Sequence, residues 1–377
     1  MYWRRLGAKI SGIGSTNRNL ALLDGTVEFV TPKNYKHIEE ILMMQIPVLD
    51  RKDVVREGYA GIGSFASVYK ARYIVTNEFF AVKQLTFSEL TLELILSYCK
   101  EAFLSSELWH QNVVRFKGLI LCPPQLALCY EYCNEGSLQA YLFSKNAIAW
   151  NKLLHFALDA ANGIKFLHDN GIIHRDINSR NILVHEVSSN EFIAKVCDFG
   201  IARKVKQRPI RAYTSFQEVR KQEKQASNNG RRPKLSVTNE GYQMDDSLTG
   251  GCGTVSHMPP ELIRNIEFGL LEHRMRNKYA EYDYSVDVFA FGIVLWEILT
   301  RSEVYPELKT QKAVQQFVLS GRRPEIPVFT PGPFARLMGS CWESNPTRRP
   351  SFLDIVIQLE AMADSPVPKS IIDLSVP

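Results

Sequence analysis

The pattern of apolar residues changes once along this chain, and that change constrains the fold more than any other feature. Between Asp53 and Leu85 the sequence runs D-V-V-R-E, S-V-Y-K-A-R-Y and F-F-A-V-K-Q-L, with a Gly-containing turn between the first two. Short runs rich in β-branched and aromatic residues predict strands, here three antiparallel ones. Residues 88–107 have helical composition, and 126–133 read as a further strand. Beyond Asn134 the period becomes helical: Leu153, Leu154, Ala157, Leu158, Ala161, Ile164 and Leu167 are spaced for one face of a helix over Trp150–Leu167. Val286–Leu299, Gln311–Leu319 and Phe352–Met362 read the same way. The expectation is an α+β, bilobal architecture: a strand-rich amino-terminal lobe, a helical carboxy-terminal lobe, and a ligand cleft between them.

Composition narrows the class. With 45% hydrophobic and 23% charged residues, the chain has the make-up of an ordinary globular protein. Its net charge of +5 is unevenly placed, because 11 Lys or Arg against 2 Glu lie between Arg203 and Lys234, leaving the remainder near −4. One basic segment, not a basic domain surface, follows from this, so nucleic acid is not an expected partner. Seven Cys without a C-x-x-C pair argue against zinc and for buried thiols in a reducing compartment. The start, M-Y-W-R-R-L-G-A-K, lacks the apolar block of a secretion signal, and the longest strongly apolar stretch, Val288–Leu295, is too short to span a bilayer. A cytoplasmic location is expected, with nuclear entry through the basic segment as the alternative.

Residues 1–47 are read as an extension, with a strand at Thr26–Val30 and a helix near Tyr35–Met44. The segment 204–248 is basic and rich in Gln, Asn, Ser and Gly, and is expected to be mobile. Residues 48–364 form the main domain, divided at 133/134, and 365–377 form a tail.

The chemistry is concentrated in a few short runs. Gly61 and Gly63 in G-I-G-S-F-A-S-V sit in a turn between strands, where glycines let backbone N–H groups approach phosphate oxygens. Fifteen residues after Val68, Lys83 ends the run Ala81, Val82, Lys83, an unusual place for a lysine unless its charge is used. Its counter-ion is sought on the following helix, where Glu101 is preferred over Glu89, Glu93 and Glu107. The run H-R-D-I-N-S-R-N, His174–Asn181, then precedes D-F-G, Asp198–Gly200. Asp176 can accept a proton from an incoming hydroxyl, while Asn181 and Asp198 supply the oxygen ligands that a hard cation prefers.

This ordered series, closed by P-P-E at Pro259–Glu261, resembles eukaryotic protein kinases of the tyrosine-kinase-like group over about residues 50–362. The resemblance implies a protein-kinase-like fold and transfer of the ATP γ-phosphoryl group to protein hydroxyls, with Mg²⁺, or Mn²⁺ in its place, as cofactor. It implies that Asp176 is the catalytic base, that Lys83 contacts the α and β phosphates with Glu101 as its partner, and that Asn181 and Asp198 hold the metal. Gly61, Gly63 and Ala66, which stands at the usual third glycine, would cover the phosphates. Val68, Ala81 and Leu183 would enclose the adenine, Tyr130 would be the gatekeeper, and Glu131–Cys133 the hinge. His174 and Phe199 would join the hydrophobic spine, Glu261 would pair with Arg349, and Asp287 would cap the catalytic loop.

Substrate choice rests on fewer residues. Asn178 stands where serine/threonine kinases usually carry Lys; Arg180 matches tyrosine kinases; the G-T at Gly253–Thr254 matches serine/threonine kinases. The catalytic loop is similar to that of LIM-domain and testis-specific dual-specificity kinases. Serine/threonine specificity is therefore expected first, with dual specificity as the alternative. His257 and Pro259 depart from the usual substrate wall. The activation segment, 64 residues from Asp198 to Glu261, offers Thr214, Ser215, Ser227, Ser236, Thr238, Ser247 and Thr249 for an activating kinase or for autophosphorylation in trans, with Arg175 as receiver. The competing reading is a pseudokinase that keeps the fold as a nucleotide-binding scaffold or allosteric partner.

Overall fold

The computed structural model describes residues 46–62, 66–85, 92–122, 125–144, 147–205, 254–264 and 283–366. The chain divides into two units, Met1–Gly25 with Val205–Gly250, and Thr26–Lys204 with Gly251–Pro377. Every described residue except Val205 belongs to the second unit, and the account below concerns that unit. The strand and helix read at Thr26–Val30 and Tyr35–Met44, and the segment 206–253, lie outside the described residues.

Strands β1 (Val54–Ile62), β2 (Ala66–Tyr73) and β3 (Glu78–Leu85) are antiparallel neighbours, as the alternating runs require. Two more strands, β4 (Phe116–Cys122) and β5 (Gln125–Glu131), complete a five-stranded sheet in the order β1-β2-β3-β5-β4. Because side chains alternate across a strand, the sheet has two faces. Phe80, Val82, Ile120, Ala127 and Cys129 pack with Val54, Tyr69 and Ala71 on one. Leu119, Leu126, Leu128 and Tyr130 pack on the other against Tyr98, Cys99 and Ala102 of helix α1 (Leu92–Ser106). Lys83 pairs with Leu128, and Ala81 with Tyr130, so both β3 residues sit in register with the strand that faces α1.

β4 was not among the sequence expectations. It is interrupted by a register shift at Gly118, where φ is +157° and an added Cβ would lie 2.8 Å from the Pro47 carbonyl oxygen. Only glycine lets the segment 47–49 run that close, and through the approach the Leu49 N–H donates to Leu119 O at 2.9 Å and the Leu119 N–H to Pro47 O at 2.8 Å.

The rest of the unit is helical, as the change in period predicts. α2 (Leu138–Ser144) precedes α3 (Trp150–Asp169), whose expected stripe of Leu153, Leu154, Ala157, Ala161, Ile164 and Leu167 is buried, with Leu158 half-buried beside it. α4 (Ser285–Thr300) is apolar on almost every side and runs through the centre of the large core. α5 (Gln311–Leu319), α6 (Gly332–Cys341) and α7 (Phe352–Ala363) surround it, the last begun by a capping box in which Ser351 and Asp354 satisfy each other's backbone N–H groups. Short strands β6 (Ile172–Ile173) and β9 (Arg203–Lys204) pair with each other, as do β7 (Ile182–Ser188) and β8 (Glu191–Val196). These pairs bracket the residues of the candidate site. Cys99, Cys129, Cys133 and Cys341 are buried free thiols, in keeping with the reading of the cysteines. Among the described residues, no helix is long and apolar enough to cross a membrane.

Candidate active site

Three strands and one helix bring the first group of side chains together. From β3, the Lys83 ammonium reaches Glu101 Oε1 on α1 at 2.8 Å and Asp198 Oδ1, just beyond β8, at 2.9 Å. Among the described side chains Glu101 is the glutamate that meets Lys83, and Glu107 pairs with Lys204 at 2.8 Å instead; Glu89 and the side chain of Glu93 lie outside the description. Glu101 is 5% exposed. Burial pushes its carboxyl above the ordinary range, against the pull of Lys83 and Tyr130. Burial would lower Lys83, but the two carboxylates hold it well above the usual lysine value. For Asp198 the partial desolvation of its half-exposed carboxylate acts upward, yet Lys83, His174 and the Gly200 N–H bring the net shift below the ordinary value.

The second group is carried by the loop between β6 and β7. Here buried Asp287, from the first turn of α4, accepts hydrogen bonds from the backbone N–H of His174 and of Arg175, both at 2.8 Å, and takes His168 Nε2 at 2.9 Å. Burial acts to raise its carboxyl, but His168, His174 and the His174 N–H hold it below the usual range. Arg175 has φ of +71° and Asp198 φ of +64°, both in the left-handed region that costs non-glycine residues of order 1–3 kcal/mol. The Asp287 bond to the Arg175 N–H helps hold that conformation.

His174 donates from Nε2 to Cys197 O at 2.9 Å and accepts at Nδ1 from the Asp176 N–H at 3.3 Å, since a carbonyl only accepts and an N–H only donates. Its ring meets Phe199 edge to face at 5.5 Å, so the two proposed spine residues touch. Asp176 Oδ1 accepts from Thr254 N at 2.8 Å and Thr254 Oγ1 at 3.1 Å, and its Oδ2 accepts from Asn181 Nδ2 at 2.9 Å. Asn178, the departure from the usual Lys, caps the 3-10 turn Ser179–Asn181: its Oδ1 accepts from the N–H of Arg180 and of Asn181. Its Nδ2 reaches Thr254 Oγ1 at 3.1 Å. Asparagine is among the strongest capping residues, so the sequence carried that signal.

The remaining candidates fall around these groups. Gly61, read as part of the turn, lies instead within β1, where it pairs with Val68; Val68 also pairs with Lys83, and Ala66 is buried at the start of β2. Gly63 and the rest of the turn, 63–65, lie outside the described residues. Leu183 packs on the cluster containing Tyr130 and Cys133. Glu131 donates its backbone N–H to Arg115 O, and its carboxylate takes Lys195 Nζ at 2.9 and 3.1 Å. The Arg175 guanidinium reaches Ile201 O at 3.4 Å, while Thr214, Ser215, Ser227, Ser236, Thr238, Ser247 and Thr249 lie outside the described residues. Glu261 and Arg349 form a two-point ion pair at 2.6 and 2.9 Å, the pairing expected from the motif series.

Sequence reasoning missed three partners. Tyr98 donates to Lys83 O at 3.2 Å, Ser105 meets the Tyr130 hydroxyl at 3.2 Å, and buried His257 pairs with buried Glu297 at 3.0 Å. The first two follow from helical spacing, three before and four after Glu101, once Glu101 is placed on the sheet side. For Glu297 the sequence held no comparable signal.

A sheet lysine thus pairs with a helix glutamate, and a loop aspartate is held by a downstream threonine. The family profile "Protein tyrosine and serine/threonine kinase" matches residues 56–222 and 237–359, and the chain belongs to that family. It is 32% identical over 302 residues to serine/threonine-protein kinase STY46 of Arabidopsis thaliana, covering 80% of this chain and 43% of that one. It is 30% identical over 318 residues to dual specificity protein kinase shkA of Dictyostelium discoideum, covering 83% and 50%. The chain thus spans half or less of the length of these relatives.

Proposed function

We propose that this chain transfers the ATP γ-phosphoryl group to serine and threonine hydroxyls of proteins, with dual specificity as the second reading. The observation that carries the proposal is the fixation of Asp176, whose two carboxylate oxygens are held by Thr254 on one side and Asn181 on the other. In that arrangement Asp176 orients the incoming hydroxyl and takes its proton as the new oxygen–phosphorus bond forms and the bond to the ADP oxygen breaks. Lys83, its charge balanced by Glu101, positions the α and β phosphates. Gly61, Gly63 and Ala66 cover them, and Val68, Ala81, Leu183 and the 131–133 backbone receive the adenine.

The donor set suits Mg²⁺. Asp198 offers a carboxylate that is 45% exposed, and Asn181, whose amide nitrogen is engaged by Asp176, offers its oxygen. When bound there, the metal would neutralise phosphate charge. Thr254 supports the serine/threonine reading, because its hydroxyl links Asp176 to Asn178. The likeness of D-I-N-S-R-N to LIM-domain and testis-specific kinase loops supports dual specificity, as does the relative named for it. The kinase domain is taken as 48–364, with 1–47 and 365–377 outside it.

The test is radiolabelled phosphate transfer from Mg·ATP to the chain and to a mixed basic-protein substrate, with phosphoamino-acid analysis. Label that disappears in Asp176→Asn is expected, carried on Ser and Thr; label also on Tyr would select dual specificity. Binding of Mg·ATP without transfer, even after treatment with an activating kinase, would instead select the scaffold reading.

A further inference from the structure

The bulk of Tyr130 is what its gatekeeper position makes notable, but its hydroxyl is placed as carefully as its ring. Tyr130 lies in β5 between Ala81 of β3 and Phe116 of β4, is 9% exposed, and meets the Phe116 ring edge to face at 5.5 Å. Its Oη stands 3.0 Å from Glu101 Oε1 and 3.2 Å from Ser105 Oγ. A phenol has one O–H and a carboxylate only accepts, so that proton goes to Glu101 and the Ser105 hydroxyl donates in turn to Tyr130.

Glu101 and Ser105 are four residues apart on α1, one turn above the other on the same face. A single strand side chain therefore grips the helix at two points. The gripped oxygen is also the one that binds Lys83: Glu101 Oε1 receives Tyr130 Oη at 3.0 Å and Lys83 Nζ at 2.8 Å. Two donors converging on one carboxylate oxygen fix the orientation of the whole group, whereas Lys83 alone, on a flexible stem and shared with Asp198, would leave it free to turn.

We infer that Tyr130 is a positioning residue, whose hydroxyl orients Glu101 and through it Lys83 for phosphate contact. The inference rests on the phosphotransferase reading above. Tyr130 touches neither nucleotide phosphate nor the reacting hydroxyl in this role. It acts by holding α1 at the distance the ion pair needs.

Tyr130→Phe removes one oxygen and leaves the ring and its packing. With ATP as the varied substrate, kcat/KM is expected to fall about tenfold, the scale of a hydrogen bond to a charged group, while KM for the protein substrate stays the same. Ser105→Ala should cause a smaller loss of the same sign. The decisive comparison is a double-mutant cycle: in a Glu101→Gln background the Tyr130→Phe loss should largely disappear, because the group being oriented has lost its charge. Hydrogen exchange over Leu92–Ser106 should also be faster in Tyr130→Phe than in the wild type. Unchanged kcat/KM in an active enzyme, or a full additive loss in the Glu101→Gln background, overturns the inference. If the wild type transfers no phosphate, the functional reading fails separately; faster exchange over α1 then still supports the two-point grip, and equal exchange overturns it.

Discussion

The two halves of the site are held by opposite means. In the strand-borne half, Lys83, Glu101, Tyr130 and Asp198 are fixed tip to tip, side chain against side chain, across elements far apart in sequence. In the loop-borne half, one buried side chain, Asp287, holds backbone N–H groups, and backbone and side chains together then aim Asp176. Tip-to-tip contacts are lost when a helix shifts by an ångström or two, whereas backbone bonds to a buried carboxylate are lost only when the loop unfolds. The difference teaches that the first half is the adjustable part of the site and the second its fixed frame.

The largest effect expected is chemical and leaves the frame intact. Asp176→Asn should lower the transfer rate by about 10²–10⁴-fold, the range for a positioned general base, with its unfolding midpoint near that of the wild type. A comparable loss of stability would show that Asp176 belongs to the frame.

Asp287→Ala should show the reverse emphasis, with a stability loss of about 3–5 kcal/mol in chemical denaturation, because two loop N–H groups and His168 lose a buried charged acceptor. The sign with pH follows from its depressed carboxyl. A carboxylate whose folded value lies below its unfolded one, about 3.9, stabilises at neutral pH and loses that contribution as pH falls through the folded value. Asp287→Asn should therefore depend less on pH than the wild type does below about pH 4, as read by unfolding midpoints across acid buffers.

Smaller effects sharpen the contrast within the frame. Glu261→Ala strands the buried Arg349 guanidinium and should cost about 1.5–3 kcal/mol. Ser351→Ala removes one half of the α7 capping box and should cost about 1 kcal/mol, with transfer unchanged. Thermal unfolding beside a transfer assay checks both, and a rate loss with Ser351→Ala would place α7 closer to the chemistry than the frame account allows.

Much of this frame could be read from the sequence, for physical reasons that also explain the gaps. The β1–β3 strands and α3, α4, α5 and α7 announce themselves because one or both faces are apolar at a regular period, and the structure extends their expected ends by only a few residues. β4 escapes because Gly118 breaks its alternation and makes a register shift, and the β7–β8 hairpin has a register shift of its own between Glu186 and Ser188. The meeting of Lys83 with Glu101 was legible because a lysine in an apolar strand needs a counter-ion, and the stretch 88–107 of helical composition offers four glutamates. The His257–Glu297 pair was not, because it joins residues distant in sequence through ring and carboxylate atoms that leave no trace in composition or period.

The most direct test of the two-halves account sets Glu101→Gln beside Asp287→Ala, measuring initial transfer rate and unfolding free energy on the same preparations. Glu101→Gln is predicted to lose at least tenfold in rate while its stability stays within about 1 kcal/mol of the wild type, since burial already opposes the Glu101 charge and Lys83 keeps Asp198 as its counter-ion, so that no charge is left uncompensated. Asp287→Ala is predicted to lose both. A Glu101→Gln protein as destabilised as Asp287→Ala, or an Asp287→Ala protein of wild-type stability, would contradict the division of the site into an adjustable half and a fixed one.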